Sequence, residues 1–252
     1  MATAPKIALQ LYTLRELAGN GMASTLEAVA EIGYAGVEPA GYGDLSAGEM
    51  ADVCARLGLE VCSAHVGLDR FESEPDLVAA ELALFGTPNL VIPWVAPESA
   101  VEDVARRMAA VVERARVLGL APAFHNHWFE WDTQPSGPTL WEALEAIDGL
   151  AFELDLGWAW AARQDPAALL RANTGRCALA HLKDMLRVDT ERGGVDTPLG
   201  DGEIDWPTLV PLAAGSGVEW LIVEQDNPGV DPIGAVRRSF GYLEGLPLPT
   251  AP

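Results

Sequence analysis

The chain has 252 residues, 37 of them acidic against 16 basic, for a formal net charge of −21. Such a surface repels phosphate backbones and anionic membranes, so neither nucleic acid nor a membrane is an expected partner. The three cysteines, Cys54, Cys62 and Cys177, match no zinc or redox spacing and read as small buried hydrophobes. No apolar run reaches the ~18 residues of a membrane span, and the opening MATAPKIALQ has no charged segment leading into a long apolar stretch. A cytoplasmic protein without a signal peptide is the expectation.

Short apolar runs alternate with helical patterns along the whole chain. KIALQLY (6–12) comes first, then a helix over 23–33 with Ser24 or Thr25 as its cap and Gly33 as its stop. GVEPA (36–40) precedes a helix over 45–58, capped by Ser46 and closed by Gly58. EVCSAHV (60–66) precedes a helix near 74–85, and NLVIPWV (89–95) a long one over 98–118. APAFHNH (121–127) leads to a helix near 138–147, and LAFELDLGW (150–158) to one near 166–172. CALAHLKD (177–184) is followed by a loop and a helix opening at Trp206 and Pro207. VEWLIVEQD (218–226) and a last helix near 232–244 complete the series, and the tail LPLPTAP reads as mobile.

Nearly continuous apolar runs suit parallel strands covered on both faces, and strict strand–helix alternation points to a parallel sheet. Eight such units in 252 residues give the expected fold class: α/β, a single (β/α)8 TIM barrel, with residues 1–252 as one domain. A doubly wound sheet would carry a glycine-rich loop after its first strand, and LYTLRELAG is not one.

In a barrel of this kind the C-terminal strand ends form the active face. Polar residues gather there: Gln10 and Tyr12, Glu38, His65, then His125, Asn126, His127 and Glu130. Asp155, His181, Lys183, Asp184, Glu224, Gln225 and Asp226 follow. All four histidines of the chain are in this set. Residues i and i+2 of a strand share a face, so His125 and His127 are expected to point together into the barrel mouth. Imidazole and carboxylate donors converging from separate strands, with no thiolate, suit a divalent metal such as Mn, Co, Mg or Zn. Trp94, Trp128, Trp131, Trp158 and Trp160 lie at or just after strand ends, where aromatic rings stack on sugar faces.

These stretches resemble the xylose isomerase-like barrels known as sugar phosphate isomerases/epimerases, relatives of ketose 3-epimerases, inosose dehydratases, hydroxypyruvate isomerases and metal-dependent abasic-site endonucleases. IALQLYTLRE, GYAGVEPAGYG, LGLEVCSAHVGLD, FHNHWFEW, LDLGWAW, AHLKD, PLGDGEIDW and IVEQD carry the resemblance, which covers residues 6 to 245. It implies a metal held by Glu, Asp, His and Glu from strands five to eight. Asp155, His181 and Glu224 match the last three. Strand five departs from the pattern: its ligand is His127 by preference, with His125 and Glu130 as alternatives.

The resemblance implies a metal-dependent isomerase or epimerase of a small sugar or polyol carbonyl compound, working through an enediolate, and the acidic charge with the tryptophans favours a neutral or weakly charged carbohydrate. Glu224 is the first candidate base and His125 or Glu130 the second. Lys183 would hold a substrate oxygen or phosphate. Tyr12, Glu38, His65 and Trp158 are the candidate substrate contacts. A dehydratase using the same enolate chemistry is the alternative, and a non-catalytic sugar-binding barrel the second. A homo-oligomer is compatible with the sequence.

Overall fold

Side chains alternate between two environments along each strand, and this alternation builds the barrel. The computed structural model describes residues 4–190 and 192–246; most of the tail expected to be mobile, from residue 247 on, lies outside the described residues. Nine parallel strands share one sheet: β1 (Lys6–Gln10), β2 (Gly36–Glu38), β3 (Glu60–Val61), β4 (Ala64–His65), β5 (Asn89–Ile92), β6 (Ala121–His125), β7 (Ala151–Asp155), β8 (Leu179–Leu182) and, at the end of the series, β11 (Trp220–Val223). Their order is β3-β2-β1-β11-β8-β7-β6-β5-β4. Only Cys62 and Ser63 separate β3 from β4, which are two halves of one strand position. The sheet is therefore a (β/α)8 barrel whose first and last strands pair, Leu9 opposite Val223.

Among the described residues ten α-helices return the chain: α1 (Arg15–Ile32), α2 (Ala47–Leu57), α3 (Leu68–Ser73), α4 (Pro75–Phe85), α5 (Val101–Leu118), α6 (Leu140–Glu145), α7 (Leu156–Ala161), α8 (Pro166–Ala172), α9 (Trp206–Gly215) and α10 (Pro232–Glu244). Leu9, Val37, Phe124, Leu154, Leu182 and Val223 face outward into the main core between sheet and helices. Burying each such side chain completely stabilises by about 2 kcal/mol. Ala8, Cys62, Val91, Ala123, Leu179, Trp220 and Ile222 fill the barrel interior. Gly36 is needed there, because a Cβ at that position would stand 2.6 Å from the Glu60 carbonyl and 2.8 Å from the Trp220 ring. The apolar floor gives way towards the strand C-termini to Gln10, Glu38, Glu153, Asp155 and His181, all fully buried.

Several boundaries differ from expectation for local reasons. α1 starts at Arg15, with a break at Gly21. Ser24 and Thr25 do not cap it; their hydroxyls donate back to the Gly21 carbonyl, and Asp44 accepts from the Met22 N–H after the break. Strand five stops at His125 rather than residue 127. Strand six stops at Asp155, whose carboxylate caps α7, so Trp158 is helical. The loop expected after strand seven contains an antiparallel hairpin, β9 (Asp184–Arg187) with β10 (Gly194–Thr197). α2 is as expected, with a Ser46–Glu49 capping box and Gly58 as its left-handed end. Among the described residues, no helix is long and apolar enough to cross a membrane.

Candidate metal centre at the barrel mouth

Strand register brings the polar ends together. His125 lies opposite Glu153, and Asp155 opposite His181. The side chains form two layers that share His125 and His181. In the outer layer His125, Asp155, His181 and Glu224 each offer one donor atom, all within 4.8 Å of one another. His65, His125, Glu153 and His181 do the same in the inner layer.

In the inner layer hydrogen bonds join His65, His181, Glu38 and Glu153, while Glu153 Oε1 and His125 Nδ1 have no partner. His65 Nε2 lies 2.7 Å from Glu153 Oε2 and 3.1 Å from Glu38 Oε2. His181 Nε2 lies 2.7 Å from Glu38 Oε2 and 3.2 Å from Glu153 Oε2. Gln10 Nε2 donates to Glu38 Oε2 at 2.7 Å, and the Ser63 hydroxyl donates to Glu38 Oε1. Burial alone would raise Glu38, but His65 and His181 hold its carboxyl well below the usual range. Burial favours neutral His65, yet Glu38 and Glu153 push it up to about 10.

The outer layer has an unpartnered oxygen of its own. His181 Nδ1 meets Glu224 Oε2 at 3.0 Å, and His125 Nε2 stands 4.0 Å from Asp155 Oδ2. Asp155 Oδ1 accepts from the Trp158 N–H at 2.7 Å, while Asp155 Oδ2 is buried with no hydrogen bond. Burial lifts this carboxyl to about 7 against the pull of Lys183 and His181. Burial opposes ionised Glu224 as well, but Lys183 and His181 keep it well below the ordinary range. A buried carboxylate oxygen without a donor is costly, and a cation relieves that cost. Two imidazoles and two carboxylates are a donor set that fits a divalent ion.

The cavity above these layers has a volume of about 690 Å³. His65, His125, His127 and Glu224 line its depth; Tyr12, Trp94, Trp128 and Asp226 line its walls. Trp94 stands edge-on to His127 at 4.6 Å between centroids, and Trp128 packs on Trp158 at 4.9 Å.

A family model, the xylose isomerase-like TIM barrel, matches residues 26–246. The chain belongs to this family. Among solved structures it is similar to a sugar phosphate isomerase/epimerase from Parabacteroides distasonis, at 23% identity and a TM-score of 0.78, over 98% of this chain and 96% of that one. It is also similar to a probable 3-DHS dehydratase involved in petrobactin synthesis from Bacillus anthracis, at 15% identity and a TM-score of 0.76, over 95% and 99%. A 3-keto-D-glucoside 4-epimerase from E. coli shares 16% identity at a TM-score of 0.66, over 95% and 99%. Likeness at these identities is likeness of fold. No curated protein matches the sequence.

Within this family fold, Asp155, His181 and Glu224 come together as the sequence suggested, but His127 does not join them. The strand ends at His125, and Asn126 bonds to the neighbouring strand, so the two-residue alternation stops there. His127 stands outside both donor groups, its Nδ1 3.9 Å from Glu130 Oε1, and His125 takes the place expected for it. Both imidazoles line the same cavity. Burial, with charge on His181 for His125 and on Lys183 for His127, holds both well below the usual histidine range.

Glu130 is buried beneath His127, accepts its N–H at 2.8 Å and does not line the cavity; burial lifts its carboxyl to about 8. Lys183 is also buried, 3.0 Å from Glu224 Oε2, 3.1 Å from Asp226 Oδ1 and 3.6 Å from Asp155 Oδ2. Of the expected substrate contacts, Tyr12 and His65 reach the cavity, whereas Glu38 lies under His181 and Trp158 behind Trp128. Glu153 was not among the expected site residues. Its signal was its position two residues before Asp155, which puts both on the inner face of β7.

Proposed function

We propose that the protein is a divalent-metal-dependent isomerase or epimerase acting on a small sugar or polyol carbonyl compound. The observation that carries this reading is the convergence of His125, Asp155, His181 and Glu224 from four strand ends, with His125 and Glu224 lining an aromatic-walled cavity. These four residues would hold the cation, which would supply Lewis-acid polarisation of a carbonyl and its neighbouring oxygen.

The rest is done by the chain's own groups. Trp94 and Trp128 offer faces and edges to an apolar sugar surface and exclude water. His127 lines the cavity beside the donor cluster, and its imidazole, kept neutral by burial, would take a proton from carbon next to the carbonyl. Asp226 and Glu224 line the same cavity. Asp226, whose carboxyl burial raises, would return a proton from a different direction and invert the carbon; return to the adjacent carbon would move the carbonyl instead. Lys183 helps hold Glu224 ionised and opposes the burial that raises Asp155 and Asp226. The isomerase/epimerase from P. distasonis and the 4-epimerase from E. coli, similar in fold, support this class of reaction.

The test is hydrogen exchange at carbon. Metal-loaded protein incubated with a panel of ketoses, keto-glycosides and keto-inositols in deuterated water should wash deuterium into at least one substrate. Asp155→Asn and Glu224→Gln should lose both stoichiometric metal and exchange. Exchange accompanied by loss of water from the substrate would instead favour the dehydratase reaction named for the B. anthracis relative. Metal binding without exchange across the panel would favour a sugar-binding barrel.

A further inference from the structure

Three imidazoles converge on one oxygen. His65 Nε2, His181 Nε2 and His125 Nδ1 lie 2.7, 3.2 and 3.4 Å from Glu153 Oε2. Glu153 is fully buried and projects inward from β7, one layer below Asp155. A histidine that turns one ring nitrogen down must turn the other up. His181 turns Nδ1 up to Glu224 Oε2 at 3.0 Å, and His125 turns Nε2 towards Asp155 Oδ2 at 4.0 Å.

We propose that Glu153 is a positioning residue. Its carboxylate, beside that of Glu38, which pairs with His181 Nε2 at 2.7 Å, faces His181 Nε2 at 3.2 Å and His125 Nδ1 at 3.4 Å, so that His181 Nδ1 and His125 Nε2 are the nitrogens offered to a divalent cation between Asp155 and Glu224. The inference rests on the metal reading above. Neutral imidazole has two tautomers, and only one of them places a lone pair on the ligand nitrogen. A carboxylate behind the ring selects that tautomer and fixes the ring plane.

A second cation in the inner layer is the competing account, and the hydrogen bonding opposes it. Glu153 Oε2 and Glu38 Oε2 already face imidazole nitrogens, and Glu38 also takes Gln10 and Ser63. Each layer keeps one unpartnered carboxylate oxygen, Glu153 Oε1 in the inner and Asp155 Oδ2 in the outer, but the Glu153 and Glu38 Oε2 atoms that an inner cation would need are already taken by imidazoles. The inner layer is thus the support of the outer one.

Two measurements test this. In wild-type protein labelled with 15N at histidine and loaded with Zn2+, long-range nitrogen–proton correlations should show His181 metal-shifted at Nδ1 and protonated at Nε2. His125 should show the reverse pattern, shifted at Nε2 and protonated at Nδ1. The opposite assignment for either ring overturns the proposal, and this reading needs no variant to fold. Calorimetric titration with Co2+ should then show Glu153→Gln binding roughly 10- to 100-fold more weakly than wild type, with one ion per chain in both. Equal affinity overturns the proposal. So does a fall from two ions in wild type to one in Glu153→Gln, which would make Glu153 a ligand itself. A wild-type protein that binds no Co2+ would remove the metal reading and this inference together, an outcome distinct from a failure in the variant alone.

Discussion

Asn126 and Asp155 are joined by two hydrogen bonds that continue the sheet by side chain. Asn126 Oδ1 accepts from the Asp155 N–H at 3.0 Å, and Asn126 Nδ2 donates to the Asp155 carbonyl at 3.1 Å. Regular pairing between β6 and β7 has ended one residue earlier, at His125 opposite Glu153. The amide therefore does what the next backbone unit of β6 would have done, while the chain turns away. Both residues are fully buried.

Asn126→Ala should accordingly leave a buried N–H and a buried carbonyl without partners. The expected loss is about 2–3 kcal/mol in urea unfolding. Metal affinity should fall too, because Asp155 sits on the loosened backbone. Asn126→Asp should be no better, since it sets a carboxylate against the Asp155 carbonyl. If either variant unfolds like wild type, the two bonds do not hold the strand end.

A second clamp stands on the next strand but one. The Asp184 carboxylate accepts four backbone N–H groups: Met185 at 2.9 Å, Gly200 at 2.8 Å, Gly202 at 3.0 Å and Ile204 at 3.3 Å. It ties the start of β9 to the loop before α9. A Cβ on Gly202 would lie 2.1 Å from Asp184 Oδ1. Asp184→Ala should cost about 3 kcal/mol or more, and Gly202→Ala should destabilise by forcing the carboxylate aside. Thermal unfolding of the two single variants and the double variant checks this. The double variant should be less destabilised than the sum, because both changes break the same contact.

The barrel was legible because buried parallel strands write themselves as apolar runs, and because Gly33, Gly58, Gly86 and Gly119 end helices in left-handed geometry. Asp155, His181 and Glu224 were legible as charges inside such runs. His127 was misplaced for a physical reason: two-residue alternation holds only while the strand lasts, and Asn126 ends it. Glu153 was hidden by reading only the last polar residue of each strand, although the barrel interior is layered. The β9–β10 hairpin was invisible because its short strands depend on the Asp184 clamp, a contact between residues 16 to 20 positions apart.

The three thiols give a pH test away from the mouth. Cys54, Cys62 and Cys177 are buried and free. Burial pushes Cys54 up to about 11 and Cys177 up to about 12, and burial with the charge of Glu38 raises Cys62 further above its ordinary range. The unfolded chain therefore gives up these protons at lower pH than the folded one. The stability they contribute is complete below about pH 8.5, the unfolded thiol value, and is lost as pH rises through the folded values. Urea unfolding at pH 7.5 and pH 10.5 should show this decline, and Cys54→Ala/Cys177→Ala should show a shallower one. At pH 8 no thiol should react with a disulfide reagent until the protein unfolds. Rapid labelling of the native protein would contradict the burial.

Lys183 gives the sharpest electrostatic prediction. Its ammonium lies 3.0 Å from Glu224 Oε2 and 3.6 Å from Asp155 Oδ2, over the Trp158 ring at 4.7 Å from the centroid. It thus occupies part of the space that the outer donors offer to a cation. Two like unit charges about 4 Å apart repel by about 4 kcal/mol at an effective dielectric of 20. A divalent ion entering beside Lys183 meets at least that repulsion unless the ammonium swings towards Asp226, which already accepts from it at 3.1 Å. Lys183→Met should therefore bind Co2+ about tenfold more tightly or better. The metal-free variant should melt at lower temperature than wild type, because buried carboxylates lose their neutralising partner. The stabilisation gained on adding Co2+ should be larger in the variant for both reasons. Calorimetric titration and thermal scans with and without Co2+ measure each part separately. If Lys183→Met binds Co2+ no more tightly than wild type, the ammonium does not compete with the cation, and its place is over Trp158 and beside Asp226 alone.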